Sequence, residues 1–261
     1  MKPYKIIKYP RTRIATKDVC AIGLKKHHVA AILEMDVSDA REKIKKYRHE
    51  KGEASFTAWL VKAISLAIKE HQLVSAYGKG KRKTFLFDHV NVSILVEKDL
   101  DNQKVPIPLI IEKAEERSVE SITRQINDAK NSILTDKDIV LRQRSGYAER
   151  LYYHLPGFIR REIWKYLLRH PTLAFRKMGN VAITSVGMKG GVNGWFIPVS
   201  VHPVCFGIST VAKKPVVVND EIAIREILNM TILLDHDVID GAPMARFIHD
   251  LSGLMETGAG L

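Results

Sequence analysis

The sequence predicts an α/β protein of the two-layer α+β kind, in which helices cover one mixed β-sheet. Four segments place apolar residues at the three- and four-residue spacing of helices, and several shorter apolar runs have the composition of strands. The two kinds of segment do not alternate strictly along the chain, which indicates a mixed rather than a purely parallel sheet. Because the 261 residues contain no Ser/Gly/Pro-rich linker, we expect one domain over residues 1–256 and a flexible tail at 257–261.

The first half of the chain contains two predicted helices and two predicted strands. A surface helix covers 38–51 and starts at a serine, which favours helix starts. A second helix follows Ser55, because the apolar residues of 56–68 lie on one face. The range 90–96 alternates between two sets of side chains, as a strand does. The range 105–111 predicts a short strand whose two prolines suit the edge of a sheet.

The second half continues with a helix over 118–134 and three apolar strands. The strands are predicted at 181–185, 204–211 and 228–235. A final helix starts near Pro243, a residue that suits a first helical turn, and presents one apolar stripe.

Composition limits the classes of function. The chain has 41 Lys and Arg against 29 Asp and Glu, a formal charge of +12, which favours acidic partners such as a phosphorylated cofactor, anionic lipid or nucleic acid. Cys20 and Cys205 are the only cysteines and lie outside any CxxC spacing, so neither a disulfide framework nor a Cys-based zinc site is predicted. The basic N-terminus is not followed by the apolar core of a signal peptide. We expect a cytoplasmic protein.

The clearest candidate for chemistry is the segment 235–242, where a predicted strand ends in His236 and a turn with Asp240 and Gly241 leads into the last helix. An imidazole can take and return a proton near neutral pH, and an aspartate four residues later can hold the turn in shape. From residue types alone, a surface histidine followed by a helix-capping aspartate is the favoured explanation of the segment. One histidine among three acids has no zinc spacing, so no metal site is predicted.

The order histidine, three residues, aspartate, glycine at 236–241 resembles the motif of the dihydrolipoamide acyltransferases, the catalytic cores of 2-oxoacid dehydrogenase complexes, which are related to chloramphenicol acetyltransferase. Other segments resemble the same catalytic domain in the same order along the chain: 11–36, 56–63, 90–96 with 105–108, and 182–187. The resemblance implies the coenzyme A-dependent acyltransferase fold of chloramphenicol acetyltransferase.

The resemblance also implies a reaction, acyl transfer between coenzyme A and a thiol of the dihydrolipoamide type. His236 would be the general base, and Thr184 would donate a hydrogen bond to the oxyanion. Asp240 would hold the loop, with Arg13 as a candidate partner. Coenzyme A would be a substrate, no short motif marks the residues that bind it, and no metal is implied. The family's active site lies between subunits, so we expect a homotrimer or a multiple of one.

Three features depart from the family pattern. Asp237 follows the motif histidine where the dehydrogenase cores carry arginine, and an inward carboxylate there would raise the pKa of His236. The chain starts almost at the catalytic domain, so we expect any lipoyl group to come from a lipoyl-carrying protein on another chain. The range 139–178 reads as an insert with nine Lys/Arg, two Asp/Glu and seven of the nineteen aromatic residues.

The insert allows several interpretations. A helical insert packed on its own domain, a membrane-surface helix and a protein-docking helix all suit basic and aromatic residues, and nucleic acid is not expected as a partner. Two alternatives to the thiol acyltransferase stay open: a non-catalytic trimeric scaffold that binds a partner, and a stand-alone coenzyme A-dependent O- or N-acetyltransferase.

Other residues suggest sites only weakly. His27 and His28 are adjacent, so their side chains diverge and we expect ordinary surface histidines. Lys62 reads as an exposed helix residue. The glycines of 187–194 match neither phosphate-loop spacing, and a turn is expected there.

Overall fold

The structure, a computed structural model, describes residues 3–6, 12–50, 52–80, 82–100, 103–131, 151–186 and 193–261. Its helices are α1 (Thr12–Gly23), α2 (Ser38–Glu50), α3 (Phe56–Glu70), α4 (Val119–Asn131), α5 (Gly157–Arg169), α6 (Pro171–Met178) and α7 (Gly241–Glu256). Its strands are β1 (His28–Asp36), β2 (Tyr77–Lys79), β3 (Lys83–Phe85), β4 (Val92–Leu100), β5 (Gln103–Ile111), β6 (Val181–Ser185), β7 (Val204–Val218) and β8 (Glu221–Asp235).

Six strands form one mixed sheet in the order β1-β8-β7-β6-β4-β5. The pairs β4–β6 and β6–β7 are parallel, and the other neighbours are antiparallel. The predicted α/β class with a mixed sheet is therefore confirmed. Strand β5 lies at an edge, and its Pro106 and Pro108 are tolerated there because an edge strand has neighbours on one side only.

Helices α3, α4 and α7 cover one face of this sheet and enclose the core. Ser55 starts α3, because its side chain accepts a hydrogen bond from the Ala58 amide at 3.1 Å. Trp59, Ile64 and Ile68 of α3 are fully buried. Burying side chains of this size stabilises the fold by about 1.5–3 kcal/mol each. The inward-facing side chains of the strands form the other side of this core. The apolar residues that the helical and strand patterns predict therefore pack together in one core.

Strands β7 and β8 are about twice as long as the sequence predicts. Their outer halves form a hairpin with its turn at Asn219 and Asp220, whose φ angles of 51° and 63° are those of a type I′ turn. Beyond Ile227, the last partner of β1, the hairpin is a two-stranded ribbon. Ile222 and Ile224 on this ribbon are 81% and 75% exposed. The sequence pattern does not predict these outer halves as strands, because charged residues interrupt their apolar pattern.

The last residues differ from the predicted flexible tail. The indole nitrogen of Trp59 donates a hydrogen bond of 3.1 Å to the Ala259 carbonyl. Lys43 donates one to the Thr257 carbonyl at 2.6 Å, and Leu261 packs against the core. Small residues allow this segment to lie close to α2 and α3, so the segment is packed on the domain.

The described part of the insert is helical and packs on α1. A helical turn at 151–154 precedes α5 and α6, whereas the range 139–150 lies outside the described residues. Trp164, Leu167 and Leu168 join a second apolar cluster with residues of α1 and α6. None of the described helices combines the length and the apolarity that crossing a bilayer requires.

Polar contacts fix the position of α5 on α1. Asp18 is buried and accepts hydrogen bonds from Arg160 Nε at 2.6 Å and from the Tyr152 hydroxyl at 2.9 Å. The Trp164 indole donates to the same hydroxyl at 3.0 Å. Since the buried carboxylate has an arginine partner, its desolvation is compensated and α5 has a defined inward face.

Gly179 joins α6 to β6 at a position where a side chain would be strained. Its φ and ψ are 76° and −173°, and an added Cβ would lie 2.3 Å from the Asn91 carbonyl oxygen. We therefore expect Gly179→Ala to lower the free energy of unfolding by about 3 kcal/mol in urea denaturation. Gly194→Ala is the control, because an added Cβ there meets nothing within 4 Å. Equal losses in the two variants would contradict this explanation.

Candidate active site

His236 lies where β8 ends, in a turn whose main chain is held on both sides. The His236 amide donates a hydrogen bond of 3.0 Å to the His27 carbonyl, and the amides of Val238 and Ile239 donate to the Asp235 carbonyl. The His236 side chain is 47% exposed. A fixed main chain with an accessible imidazole is what a general base requires.

Asp235, the residue before it, forms a buried ion pair that sequence analysis missed. Its carboxylate contacts the ammonium group of Lys26 and accepts from the Asp237 amide at 3.4 Å. Its own amide donates to the Pro203 carbonyl at 3.0 Å. The pair joins the loop between α1 and β1 to the end of β8. No signal in the sequence identifies a partner 209 residues away.

Asp240 lies beside His236 without a close hydrogen bond. Its Oδ1 is 3.9 Å from His236 Nδ1, and its side chain is 91% exposed. It occupies the N-cap position of α7 but makes no side-chain capping bond. Arg13 is exposed on α1, and within the described part of this chain no ion pair joins it to Asp240. The Asp240–Arg13 pair implied by the resemblance is therefore not made inside one chain.

Asp237, the unusual residue after the motif histidine, contacts His27. Its Oδ1 lies 2.9 Å from His27 Nδ1, and both side chains are exposed. This hydrogen bond and the nearby negative charge raise the pKa of His27. His28 points elsewhere, with Nε2 3.0 Å from the His202 carbonyl, and burial lowers the pKa of His28. The adjacent histidines thus diverge as predicted, although each has a specific partner.

Thr184 lies on the sheet face opposite the helices. Val181 and Ile183 of β6 belong to the core, whereas Thr184 is half-buried on the other side. In register, Thr184 lies opposite Gly207 of β7, and Gly207 lies opposite Thr231 of β8. The Thr231 hydroxyl is buried and has no hydrogen-bond partner among the described residues.

The segment 193–203 partly covers this second face. An added Cβ on Gly207 would lie 3.2 Å from Pro198 Cδ and 3.3 Å from Phe196 Cζ, so glycine permits the close approach. The covering segment and the end of β6 expose several apolar side chains: Val186, Trp195, Ile197 and Val199. Exposed apolar side chains on this side of the sheet are typical of an interface.

One chain does not bring Thr184 and His236 together. Asp235 lies four residues beyond Thr231 on β8, which corresponds to about 13 Å along the strand. Two strand spacings, roughly 10 Å in all, separate β6 from β8. A site that uses both side chains therefore requires a second copy.

Residues with ligand atoms also occur away from this region. His89, Glu115 and Glu116 place ligand atoms within 4.8 Å of one another in the described part of the chain. His89 Nδ1 already lies 2.9 Å from Glu115 Oε1, and Glu115 Oε2 accepts from the Val90 amide. These bonds explain the cluster without an ion. Lys62, predicted to be exposed, is half-buried and donates to the Glu115 carbonyl at 2.6 Å; burial lowers its pKa.

His202 connects the segment over the second face to the insert. Its ring is half-buried, Nε2 lies 2.9 Å from the Met178 carbonyl, and burial lowers the pKa of His202 to about 4. The unfolded chain, with an ordinary histidine pKa near 6.5, binds a proton that the folded protein excludes. The contribution of neutral His202 to the free energy of unfolding is therefore fully present above about pH 6.5 and decreases as the pH falls toward 4.

We expect this histidine to cost about 3 kcal/mol of stability between pH 6.5 and 4. Urea denaturation across this range should show a shallower loss for His202→Gln than for the unmodified protein. His27→Gln serves as the control, because His27 is exposed. An unchanged pH slope in His202→Gln would contradict the assignment.

Comparison with known proteins identifies a family model that covers most of the chain. The model of the 2-oxoacid dehydrogenases acyltransferase (catalytic domain) matches residues 24–138 and 172–261. The unmatched range between these matches lies within the predicted insert at 139–178. The matched residues include β1, β6, β8 and α7, the elements that carry the residues described above.

Curated relatives include the dihydrolipoyllysine-residue acetyltransferase component of the pyruvate dehydrogenase complex from Staphylococcus aureus (strain Mu50). It is 25% identical over 235 residues, which are 87% of this chain and 46% of that protein. The component from Staphylococcus epidermidis (strain ATCC 12228) is also 25% identical, with 87% and 45% covered. The chain thus spans about half the length of the curated relatives it matches.

Solved structures show the same fold. A probable dihydrolipoamide acetyltransferase from Listeria monocytogenes superposes with a TM-score of 0.70 at 19% identity, over 98% of this chain and 96% of that one. The cubic core of a pyruvate dehydrogenase multienzyme complex gives 0.68 at 17% identity, over 98% and 93%. The truncated catalytic core of the 2-oxoacid dehydrogenase multienzyme complex from Thermoplasma acidophilum gives 0.64 at 19%, over 98% and 99%.

Proposed function

The chain belongs to the 2-oxoacid dehydrogenase acyltransferase family through its catalytic domain, and from this premise we propose that it transfers an acyl group between coenzyme A and a thiol of the dihydrolipoamide type. The observation that carries the proposal is the placement of His236. Its main chain is fixed at the end of β8 and its imidazole is accessible, with Asp240 and Gly241 following in the family's motif order.

In the proposed reaction, His236 removes the proton from the attacking thiol. Nδ1 faces Asp240, which leaves Nε2 as the base. The thiolate adds to the thioester carbonyl, and the resulting tetrahedral intermediate expels the second thiolate. That thiolate takes the proton back from His236, so the enzyme ends unchanged. Positioned proton transfer contributes about 10²–10⁴ to a rate.

The oxyanion of the intermediate would be stabilised by Thr184 of an adjoining copy. Within one chain Thr184 is far from His236, but its half-buried hydroxyl lies on the sheet face bordered by exposed apolar residues. A second copy docked there could bring its own His236 to this hydroxyl. Loss of one such donor typically lowers kcat by about 10²–10³.

The exposed ribbon of β7 and β8 supports a homotrimer or a multiple of one. A two-stranded ribbon with apolar residues in water is marginally stable, so it requires a covering surface. Val217, Ile222 and Ile224 would be covered in an assembly of copies. A cubic core among the solved structures with this fold also supports such an assembly.

The proposed partners are acyl-coenzyme A and a lipoyl group carried on protein. No metal is part of the proposed reaction. Cys20 and Cys205 are free thiols, and the cytoplasm is the proposed location. The acceptor distinguishes this proposal from a stand-alone O- or N-acetyltransferase, and calorimetric binding of coenzyme A distinguishes it from a non-catalytic scaffold.

We expect His236→Ala to lower acyl transfer from acetyl-coenzyme A to dihydrolipoamide by about 10²–10⁴. The measurement is release of free coenzyme A thiol, with circular dichroism to verify that the fold is kept. His249→Ala is the matched control, because His249 is an exposed histidine of α7. Comparable turnover in His236→Ala and the unmodified protein would exclude His236 from the mechanism.

We expect light scattering to give a mass of three 29.5-kDa chains or a multiple of three. The double variant Ile222→Glu with Ile224→Glu should dissociate to monomers while its circular dichroism is unchanged, because these side chains contact water in the isolated chain. A monomeric unmodified protein would contradict the proposed assembly.

A further inference from the structure

The outward face of α5 exposes aromatic and basic side chains that do not belong to the apolar clusters of the domain. The inward face carries Trp164, Leu167 and Leu168, which pack in the second apolar cluster. On the opposite side, Phe158 and Tyr166 lie two turns apart and are 63% and 58% exposed. Since helices in solvent normally place polar residues outward, these exposed rings require a reason.

The charges on this face are mainly positive. Arg161, Lys165 and Arg169 recur at helical spacing between and beside the two rings. Glu162, the only acid of α5, is bound to Lys165. The nearby cations lower the pKa of Glu162, which reflects the positive field of the face. The fourth cation of α5, Arg160, is bound to Asp18 on the inner side and is not part of this surface.

Two further apolar side chains of the insert are exposed to solvent. Leu151, in the helical turn before α5, is exposed, and Ile163 is exposed at the margin of the helix. Helix α5 thus has two different faces. One is apolar and packs on the domain, and the other exposes aromatic side chains flanked by cations. The family model does not match the range 139–171, so this surface is additional to the catalytic domain.

We propose that the outward face of α5 docks the protein onto an anionic lipid surface. A single exposed helix face is convex and offers side chains without a pocket, which suits a deformable bilayer interface better than a folded acidic partner. Arginine and lysine would contact lipid phosphates, while Phe158 and Tyr166 would enter the headgroup region. At 13 residues, α5 is about 20 Å long and would lie flat on the membrane.

This inference is independent of the proposed acyl transfer, because binding to lipid does not use His236. The two proposals can therefore fail separately. His236→Ala should bind vesicles as the unmodified protein does.

The test is flotation of the full chain with phosphatidylcholine vesicles, with and without added phosphatidylglycerol. We expect binding to the anionic vesicles only, and release by added salt because the attraction is screened. Arg161→Gln with Arg169→Gln should weaken the partition coefficient about 5-fold per removed charge. Phe158→Ser with Tyr166→Ser should weaken it as well, since their rings supply the apolar contact.

The control is Lys45→Gln with Lys46→Gln on the exposed side of α2, which removes the same charge elsewhere. We expect this variant to bind as the unmodified protein does. Equal weakening in the two charge variants would show that the overall charge binds lipid, and would overturn the proposal. Absence of vesicle binding would overturn it too, as would binding to polyglutamate without binding to vesicles, which would identify an acidic protein partner instead.

Discussion

The buried contact between Lys26 and Asp235 is the interaction on which the candidate active site depends. It joins the loop after α1 to the end of β8, and the neighbouring main chains bond there through the His236 amide and the His27 carbonyl. Removing one partner of such a pair leaves a buried charge and typically costs about 3–5 kcal/mol. Loss of this contact would release the turn that places His236 before it affected the remainder of the sheet.

Helix α1 connects this site to the insert. Its Asp18 accepts hydrogen bonds from Arg160 and Tyr152 of the insert, and the loop at its end supplies Lys26 and His27. The insert therefore packs against the element that also holds the end of β8. A chain that docks through α5 would keep the proposed base at a fixed distance from the docking surface.

Much of the fold could be predicted from the sequence because periodicity reports burial. The apolar spacing of 56–68 corresponds to a helix with a buried face, and 181–185 was predicted with the bounds that the structure shows. The outer halves of β7 and β8 could not be predicted, because cross-strand pairing rather than an apolar run makes them strands. The last five residues have a loop composition, yet contacts from α2 and α3 hold them.

The site was only partly predictable for a related reason. His236 could be identified because a short motif surrounds it, whereas Thr184 is an ordinary strand residue that only the family resemblance singles out. Lys26 and Asp235 give no local sign of their contact, since buried pairs form between residues far apart in sequence. The sequence alone does not show where the Asp237 carboxylate points. In the structure it contacts His27.

The central claim is that one copy supplies His236 and the next supplies Thr184. Its most direct test is co-expression of His236→Ala with Thr184→Ala, each of which alone should be nearly inactive. Random mixing places an intact histidine opposite an intact threonine at about a quarter of the interfaces, so the account predicts about a quarter of the unmodified activity. Activity in the mixture no higher than that of the separate variants would contradict a site shared between copies.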